Sequence, residues 1–585
     1  MNYLLPLSII FILLSYSNFI NLRFKIKLHE TILVIICSII IFSYLLLQLQ
    51  GYYDLTLLNY IYLILLLPTI ILLPYIIKNN SKINKKLNLE IILIFIIIFF
   101  LSNDRYYLDQ DEFTYWGKAL KAFTLNLNEI SFAHHPNGLN LFRNLFIFNG
   151  YEEGIIIFSN NVILISGFVY LFYDRELTII EKIIIFSIYY LLVNNLSFGF
   201  LSIYSDPILA ILYACLLKKS FLMFKNENSK KEFNFLLIFF TLFLINRSAP
   251  IYAIIILYFC LSLFYLNQAK RYKHSLLIFL FTLIFFTYII YLTFIPIVLR
   301  GDYSLDFSFI ISILLSSNIF TQQLIDFLVS PIYFSHFGVT LNSIFETILL
   351  TNFRIFEFQI PIIVYIIFLT SFIFFKFKYR KFLIFTSFLI IFTYMIIILI
   401  LKVNIDNLHL SAVPRYIGIM ILGKYLFFIS LVISENKLIN KNLFFLFLLL
   451  CLFIVTPKKT LGFFATDKVY YSNVSNLNFK KNREVISKLK NFKNDFDKIL
   501  VIHKENYSDL TNIFISGEHT FYHNIIEYEL FPKIPNFIEL TEYLSIKDSL
   551  EQNNTLIISF DLPEGDLSKI NKDINFFKID THENN

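Results

Sequence analysis

The sequence predicts an all-α polytopic transmembrane helix bundle of about fourteen helices, counted from hydropathy and loop charge, with a small C-terminal α/β domain outside the membrane. Three observations lead there. Hydrophobic residues make up 57% of the 585 and the mean hydropathy is +0.68, beyond what a soluble chain carries. Apolar runs such as Ile91 to Leu101 and Leu276 to Leu299 recur along the first 456 residues; they are too uniform for barrel strands, which alternate, so the spans are helices. Beyond Pro457 charged and polar residues return and short mixed segments replace the long runs.

The orientation of the spans follows from Lys and Arg in the short loops, which stay cytoplasmic. Arg23, Lys25 and Lys27 follow the first span; Lys78, Lys82, Lys85 and Lys86 follow the third; Lys218, Lys219, Lys225, Lys230 and Lys231 follow the seventh. Further basic loops lie at Lys270 to Lys273, Lys376 to Lys381 and Lys437 to Lys441. The loops between them, Gln48 to Thr56, Ser102 to Glu153, Asn194 to Asp206, Asn246 to Ser248, Arg300 to Glu357 and Lys402 to Ser411, then face outward, as do both termini. The first apolar run has no basic residues ahead of it and no small-residue cleavage site, so it reads as a retained anchor. This makes residues 1–456 a membrane domain and 457–585 an extracytoplasmic one. In the latter, Asn482 to Phe492 and Ile538 to Gln552 read as helices, and Lys498 to His503, Thr555 to Phe560 and Phe576 to Ile579 as strands. The four cysteines, Cys37, Cys215, Cys260 and Cys451, sit in apolar runs without metal-ligand spacing and read as packing residues.

The outer loop 102–153 carries the chemistry. Asp109, Asp111 and Glu112 fall within four residues, beside Trp116, the only tryptophan. Carboxylates at the end of a span are costly next to lipid and mark a functional site. On a helical wheel Asp111, Tyr115, Lys118 and Ala122 share one face and Phe113, Trp116, Leu120 and Phe123 the other, the pattern of a helix lying in the membrane surface. The plainer alternative is a capping box, with Asp109 at the start and Glu112 three residues on. A turn, His134-His135-Pro136-Asn137-Gly138-Leu139, follows, and Tyr151-Glu152-Glu153-Gly154 opens the next span.

An acidic Asp-Glu-x-x-x-Trp entering a surface helix, then a Pro-x-Gly-Leu turn, resembles the first outer loop of the GT-C membrane glycosyltransferases, such as the protein mannosyltransferases and the lipid A aminoarabinose transferase, and in particular the family's bacterial branches. At residue level the resemblance covers Asp109 to Glu153. It implies transfer of a sugar from a polyprenyl-phosphate carrier to a saccharide, lipid or protein acceptor at the outer face of a bacterial plasma membrane, in cell-envelope biosynthesis, with an acidic residue of this loop in the active site. Such a reaction needs a base near the acceptor proton and positive groups or a metal on the departing phosphate. Asp111 is the candidate base, with Glu112 beside it as a second catalytic acid. Asp109, Tyr115, Lys118, His135, Arg247 and Arg415 are candidate substrate-binding residues. Lys121, Arg143, Arg300 and Lys402 are further outward cations. Arg415, in Val413-Pro414-Arg415-Tyr416, has the planar fork that grips phosphate, and the alternative of a snorkelling anchor. Asp206, followed by Pro207, reads first as a helix start, with a second acid or a metal ligand as the alternative. Neither a cofactor nor a set of metal ligands is demanded by the sequence, though a divalent cation stays open. The partners expected are the lipid-linked donor, the acceptor and membrane lipids, and not nucleic acid. Two other classes stay open: a lipid-linked saccharide flippase, which would carry polar groups inside its spans, and an O-antigen-type polymerase or ligase.

Overall fold

The computed structural model describes residues 4–53, 60–103, 105–107, 113, 116–124, 138–147, 151–174, 177–194, 199–224, 229–246, 352–355, 358–361, 413–434, 479–491, 495–503, 525–533, 535–546, 555–560 and 575–579, with isolated positions in 382–390 and 562–570. Within this set the chain is mostly helical. The helices are α1 (Leu4–Phe24), α2 (Leu28–Tyr53), α3 (Ile61–Lys78), α4 (Lys85–Ser102), α5 (Gly117–Thr124), α6 (Gly138–Asn144), α7 (Glu153–Phe172), α8 (Ile179–Asn194), α9 (Ser205–Phe224), α10 (Ser229–Ile245), α11 (Val413–Ser434), α12 (Phe479–Ser487) and α13 (Leu540–Ile546). Four are long and apolar enough to cross a membrane: α1, α2 over Leu28–Leu47, α3, and α7. The remaining spans of the expected fourteen fall partly on 247–351, 362–381, 391–412 and 435–478, outside the described residues.

Burial divides these helices into inner and outer ones. Every residue of α7 is buried, whereas α3 exposes Leu63, Leu67, Ile70, Ile71 and Ile77. Large apolar side chains also face outward from α1, α4 and α8, among them Phe11, Leu93, Ile97, Phe100 and Ile183. An apolar exterior of this kind costs a soluble protein dearly but is what lipid requires. Around α7 pack α2, α4 and α9, and α9 in turn carries α10 and α11. The small residues sit where backbones meet: a Cβ on Gly423 of α11 would come within 2.5 Å of the Ala210 carbonyl oxygen of α9.

Polar contacts sort the helix termini into two ends. At one end lie Ser102 at the end of α4, the starts of α6, α7 and α9, and Asn246 after α10. The Asn246 Oδ1 caps α6 by accepting from Leu139 N at 2.8 Å, and Asn161 Nδ2 donates to Ser102 Oγ and to Phe200 O. At the other end, Lys182 of α8 meets Glu90 of α4 at 2.7 Å, and the start of α2 meets the ends of α7 and α9. The first end holds the loop 102–153 and is called the loop end below; the second holds the basic connections Arg23 to Lys27 and Lys78 to Lys86. Twenty residues of α7 separate them, about 30 Å at 1.5 Å per residue.

The C-terminal residues form a four-stranded parallel sheet of order β4-β3-β5-β6: β3 (Lys498–His503), β4 (Asn536–Glu539), β5 (Thr555–Phe560) and β6 (Asn575–Ile579). An antiparallel pair, β1 (Asn352–Ile355) and β2 (Phe358–Pro361), lies earlier in the chain. The strands expected over Lys498 to His503 and Thr555 to Phe560 form as read. The helix expected from Ile538 starts only at Leu540, because residues 536–539 are taken as edge strand β4. Parallel sheets bury both faces, and here Leu500, Ile502 and Ile557 pack under Leu540 and Tyr543 of α13. On the other face Ile499, Val501, Leu556 and Ile558 join Ile486 of α12, the helical residues 525–530, and the core of the bundle.

Candidate functional site

The loop end is where the sequence places its candidate chemistry. Asp109, Asp111, Glu112, Tyr115, His134, His135 and Arg247 lie outside the described residues, as do Arg300 and Lys402. The segments flanking the three acids are described, and so are several of the outward cations.

Of the helix expected over Asp111 to Phe123, the part from Gly117 on is described as α5 (Gly117–Thr124), with Trp116 immediately before it; the acids themselves lie outside the described residues. Its surroundings differ from those of a helix resting in lipid headgroups. Phe113 and Leu120 are completely buried, and the Phe113 ring meets that of Tyr528 edge-on with centroids 5.5 Å apart. The apolar face is thus covered by protein: α6 lies against it, and helical residues 525–530 from beside the C-terminal sheet supply the aromatic partner.

The polar side of α5 faces the same C-terminal residues. Lys118 Nζ meets Glu527 Oε2 at 2.7 Å. Lys121 Nζ donates to the Tyr528 carbonyl at 2.5 Å, stands 3.6 Å from Glu529 Oε2, and lies 3.4 Å above the Tyr528 ring. Lys118, expected at substrate, therefore has its charge met by a carboxylate of the C-terminal segment.

Below this contact lies a buried ion cluster. Arg483 of α12, with no exposed surface, bridges two carboxylates: one amino group donates to Glu529 Oε1 at 2.8 Å and the other to Glu153 Oε1 at the first turn of α7. Glu153 Oε2 accepts from the backbone N–H of Tyr107 at 2.7 Å. The guanidinium sits 5.1 Å from the Tyr106 ring and 5.2 Å from that of Phe113. Tyr151 OH receives Tyr528 OH at 2.8 Å, lies 3.0 Å from Tyr107 OH, and donates to Gly117 O at 3.3 Å. Burial alone would push the Glu529 carboxyl upward, but Lys121 and Arg483 outweigh it and hold it below the ordinary carboxylate value. Burial would likewise lower the Arg483 guanidinium; Glu153 and Glu529 instead raise it. Burial raises the phenols of Tyr151 and Tyr528, which stay neutral hydrogen-bonding groups.

A second polar layer lies along the loop end of α7. Arg143 of α6 is fully buried; it donates to Asn140 Oδ1 at 2.6 Å, Asn160 Oδ1 at 2.7 Å and the Ile203 carbonyl at 2.6 Å. Those bonds tie α6, α7 and the approach to α9 together, so this cation, expected to face outward, is a structural tie. Asp206 lies in the first turn of α9 with Pro207 after it, the helix start expected of it. The α11 backbone runs from the loop end, since Ser430 near its far terminus bonds the Leu171 carbonyl at the opposite end of α7 at 2.7 Å. Arg415 in the first turn of α11 is thereby toward the loop end; its side chain lies outside the described residues.

The opposite end holds charge that the sequence reading did not bring together. His29 Nε2 is 2.9 Å from Asp174 Oδ1, Lys218 Nζ is 2.5 Å from Asp174 Oδ2, and Lys219 Nζ is 2.7 Å from Glu30 Oε1. One ligand atom from each of His29, Glu30 and Asp174 lies within 4.8 Å of the others. The two lysines already supply the countercharge a cation would bring, so the donor set is that of an ion-pair network. Burial raises the Asp174 carboxyl, but Lys218 and His29 more than reverse this and leave it well below the usual range. Midway along α11, Lys424 is buried and donates to Ser387 Oγ.

The site residues missed from sequence are Arg483, Tyr528 and Glu529. Arg483 stands in Lys480-Lys481-Asn482-Arg483-Glu484, which reads as an ordinary solvated helix face, and no local pattern sets it apart. Glu153 did carry a signal, as an acid at the mouth of an apolar run. The fold and this joint define a mostly helical chain with four helices long and apolar enough to cross a membrane, whose C-terminal helical residues, Arg483 and 527–529, meet the flanks of its first long loop. No protein-family model, curated protein or solved structure matches the chain.

Proposed function

We propose that the protein is a polytopic membrane glycosyltransferase of about fourteen spans, moving a sugar from a polyprenyl-phosphate carrier to an extracytoplasmic saccharide, lipid or protein acceptor in the bacterial cell envelope. The observation that carries the reading is the acid triplet Asp109, Asp111 and Glu112 in the first long loop, at the bundle end that also carries the start of α11 with Arg415 and the C-terminal residues docked on α5. In this reading the loop end is extracytoplasmic, Asp111 takes the acceptor proton, and Arg415 with Arg247 meets the phosphate of the departing carrier. Lys118 and Lys121 are engaged by Glu527, Tyr528 and Glu529, and Arg143 by Asn140 and Asn160, which favours Arg415 and Arg247, with Arg300 and Lys402 behind them, as the cations for the phosphate.

The test is Asp111→Asn in purified, lipid-reconstituted protein. The amide keeps the size and capping ability of the acid but takes no proton. Transfer from a polyprenyl-phosphate sugar is expected to fall roughly a hundredfold or more, the scale of a lost general base; equal rates in variant and parent remove Asp111 from catalysis. A lipid-linked saccharide flippase is the second reading, favoured by Lys424, an ionisable group buried midway along a helix. Translocation of the lipid-linked sugar without transfer, abolished by Lys424→Met and untouched by Asp111→Asn, would choose that reading instead.

A further inference from the structure

We infer that the C-terminal residues around Arg483 are a clamp that positions the acidic loop, so that the catalytic loop is shaped from outside the membrane bundle. Both flanks of the acid triplet are gripped. Ahead of it, Tyr106 lies against the Arg483 guanidinium, and the Tyr107 amide is bonded to the same Glu153 that Arg483 holds. Behind it, Lys118 and Lys121 of α5 are bonded to Glu527 and the Tyr528 carbonyl. Between the flanks, Phe113, one residue past the triplet, is sealed against Tyr528 and Arg483.

The electrostatics favour a two-sided grip. Arg483 and Lys121 face Glu153 and Glu529, two charges against two, in a space where an uncompensated charge is expensive. Glu153 belongs to α7, the most deeply buried helix of the bundle, so Arg483 connects the C-terminal residues to the rigid part of the membrane domain and not to the loop alone. Each flank is thereby referred to α7 through one guanidinium, and the chain length left between Tyr107 and Phe113 is five residues. Both attachment points of that stretch are fixed relative to α7, and fixed attachment is what the preorganisation of a proton-transfer group starts from. Arg483 touches no reacting atom in this scheme; it is a positioning residue. Its role in transfer rests on Asp111 being the base, while the clamp itself rests on the contacts alone.

The experiment is hydrogen–deuterium exchange on the full-length protein in lipid nanodiscs, paired with transfer kinetics. Arg483→Ala is expected to speed exchange in 105–107 and 116–121 by roughly tenfold or more while the α7 interior and β5 keep the parent's protection. Arg483→Lys, which keeps charge but loses the fork, should fall between. Unchanged exchange in both flanks overturns the clamp. Should Arg483→Ala fail to fold, the half-exposed pair serves: Lys118→Glu and Glu527→Lys should each loosen 116–121, and the double swap should return it to within about twofold of the parent. A swap no better than the single changes also overturns it. In kinetics, Arg483→Ala should lower kcat on the order of a hundredfold with the donor KM within about threefold, the mark of misplaced chemistry and not of lost binding. An unchanged kcat with loosened flanks overturns the positioning role. A parent with no transfer activity, but with exchange behaving as stated, upholds the clamp and refutes the transferase reading.

Discussion

Arg483 shows how one side chain can hold a joint that apolar contact alone would leave free to slide. Its neighbours Tyr106, Phe113 and Tyr528 supply burial, but rings tolerate small displacements, whereas two carboxylates on two elements fix the guanidinium in one geometry. Removing it strands Glu153 and Glu529 together, and breaking a buried pair costs about 3 to 5 kcal/mol. The same cluster predicts an acid limit. The Glu529 carboxyl is held below its ordinary value by Lys121 and Arg483, so its contribution is fully present above the unfolded value, near 4.3, and is lost as pH falls through the lowered folded value. The Glu529 share of the protection of residues 105–107 and 525–530 should therefore be constant above about pH 4.3 and decline below it, and Glu529→Gln should remove that acid limb while lowering protection at neutral pH. Exchange protection factors measured across this range check it; an identical acid limb in the variant assigns the titration elsewhere.

Among the elements, α7 sets the frame, since it carries Glu153 at the loop end and leads to Asp174 at the other. Its approach to α4 is unusually close: a Cβ on Gly154 would stand 2.1 Å from the Asn103 carbonyl oxygen, a backbone atom that cannot rotate away. On Gly167 it would meet Ile211 Cγ2 at 2.2 Å, a β-branched methyl that is stiff in a helix but belongs to a side chain and not to the backbone. Gly154→Ala is therefore expected to cost more than Gly167→Ala, by about 1 to 3 kcal/mol on the scale of overpacking, read as thermal midpoints of the purified protein. The lone Trp116 beside α5 should shift its emission earlier in the melt of Gly154→Ala; equal midpoints would mean that α4 can move aside. Sequence periodicity made the apolar helices, α5, β3 and β5 legible because each has a local pattern. It did not reveal β4, four residues long and continuous with α13, nor the burial of Phe113 and Leu120 under protein, since an apolar face does not say whether lipid or another segment covers it. Arg483 and Glu529 stayed illegible for the same reason: their partners lie 330 and 46 residues away in the chain.

At the scale of the whole molecule, the joint constrains topology independently of charge bias. Lys118 pairs with Glu527 and Glu153 with Arg483, so the first long loop and the C-terminal residues must share one side of any membrane the protein spans. Lys182 with Glu90, and Lys219 with Glu30, tie the opposite helix ends together in the same way. Which side is which rests on the distribution of Lys and Arg, from which we propose that the basic connections are cytoplasmic. Reporters inserted after Lys86, Lys231 and Lys381 should read cytoplasmic, and those after Gly138 and Lys480 extracytoplasmic. Each reporter pair tests something separate. Opposite readings from Gly138 and Lys480 would break the clamp whatever the orientation. Matching readings that are both cytoplasmic would keep the clamp and invert the protein, bringing Asp111 to the face where nucleotide sugars are found and excluding transfer from a polyprenyl-phosphate carrier on the outer leaflet. Matching outward readings with Lys86 and Lys231 inside are the outcome expected of loops whose positive charge holds them in the cytoplasm while the acidic loop and the C-terminal residues that grip its flanks cross together.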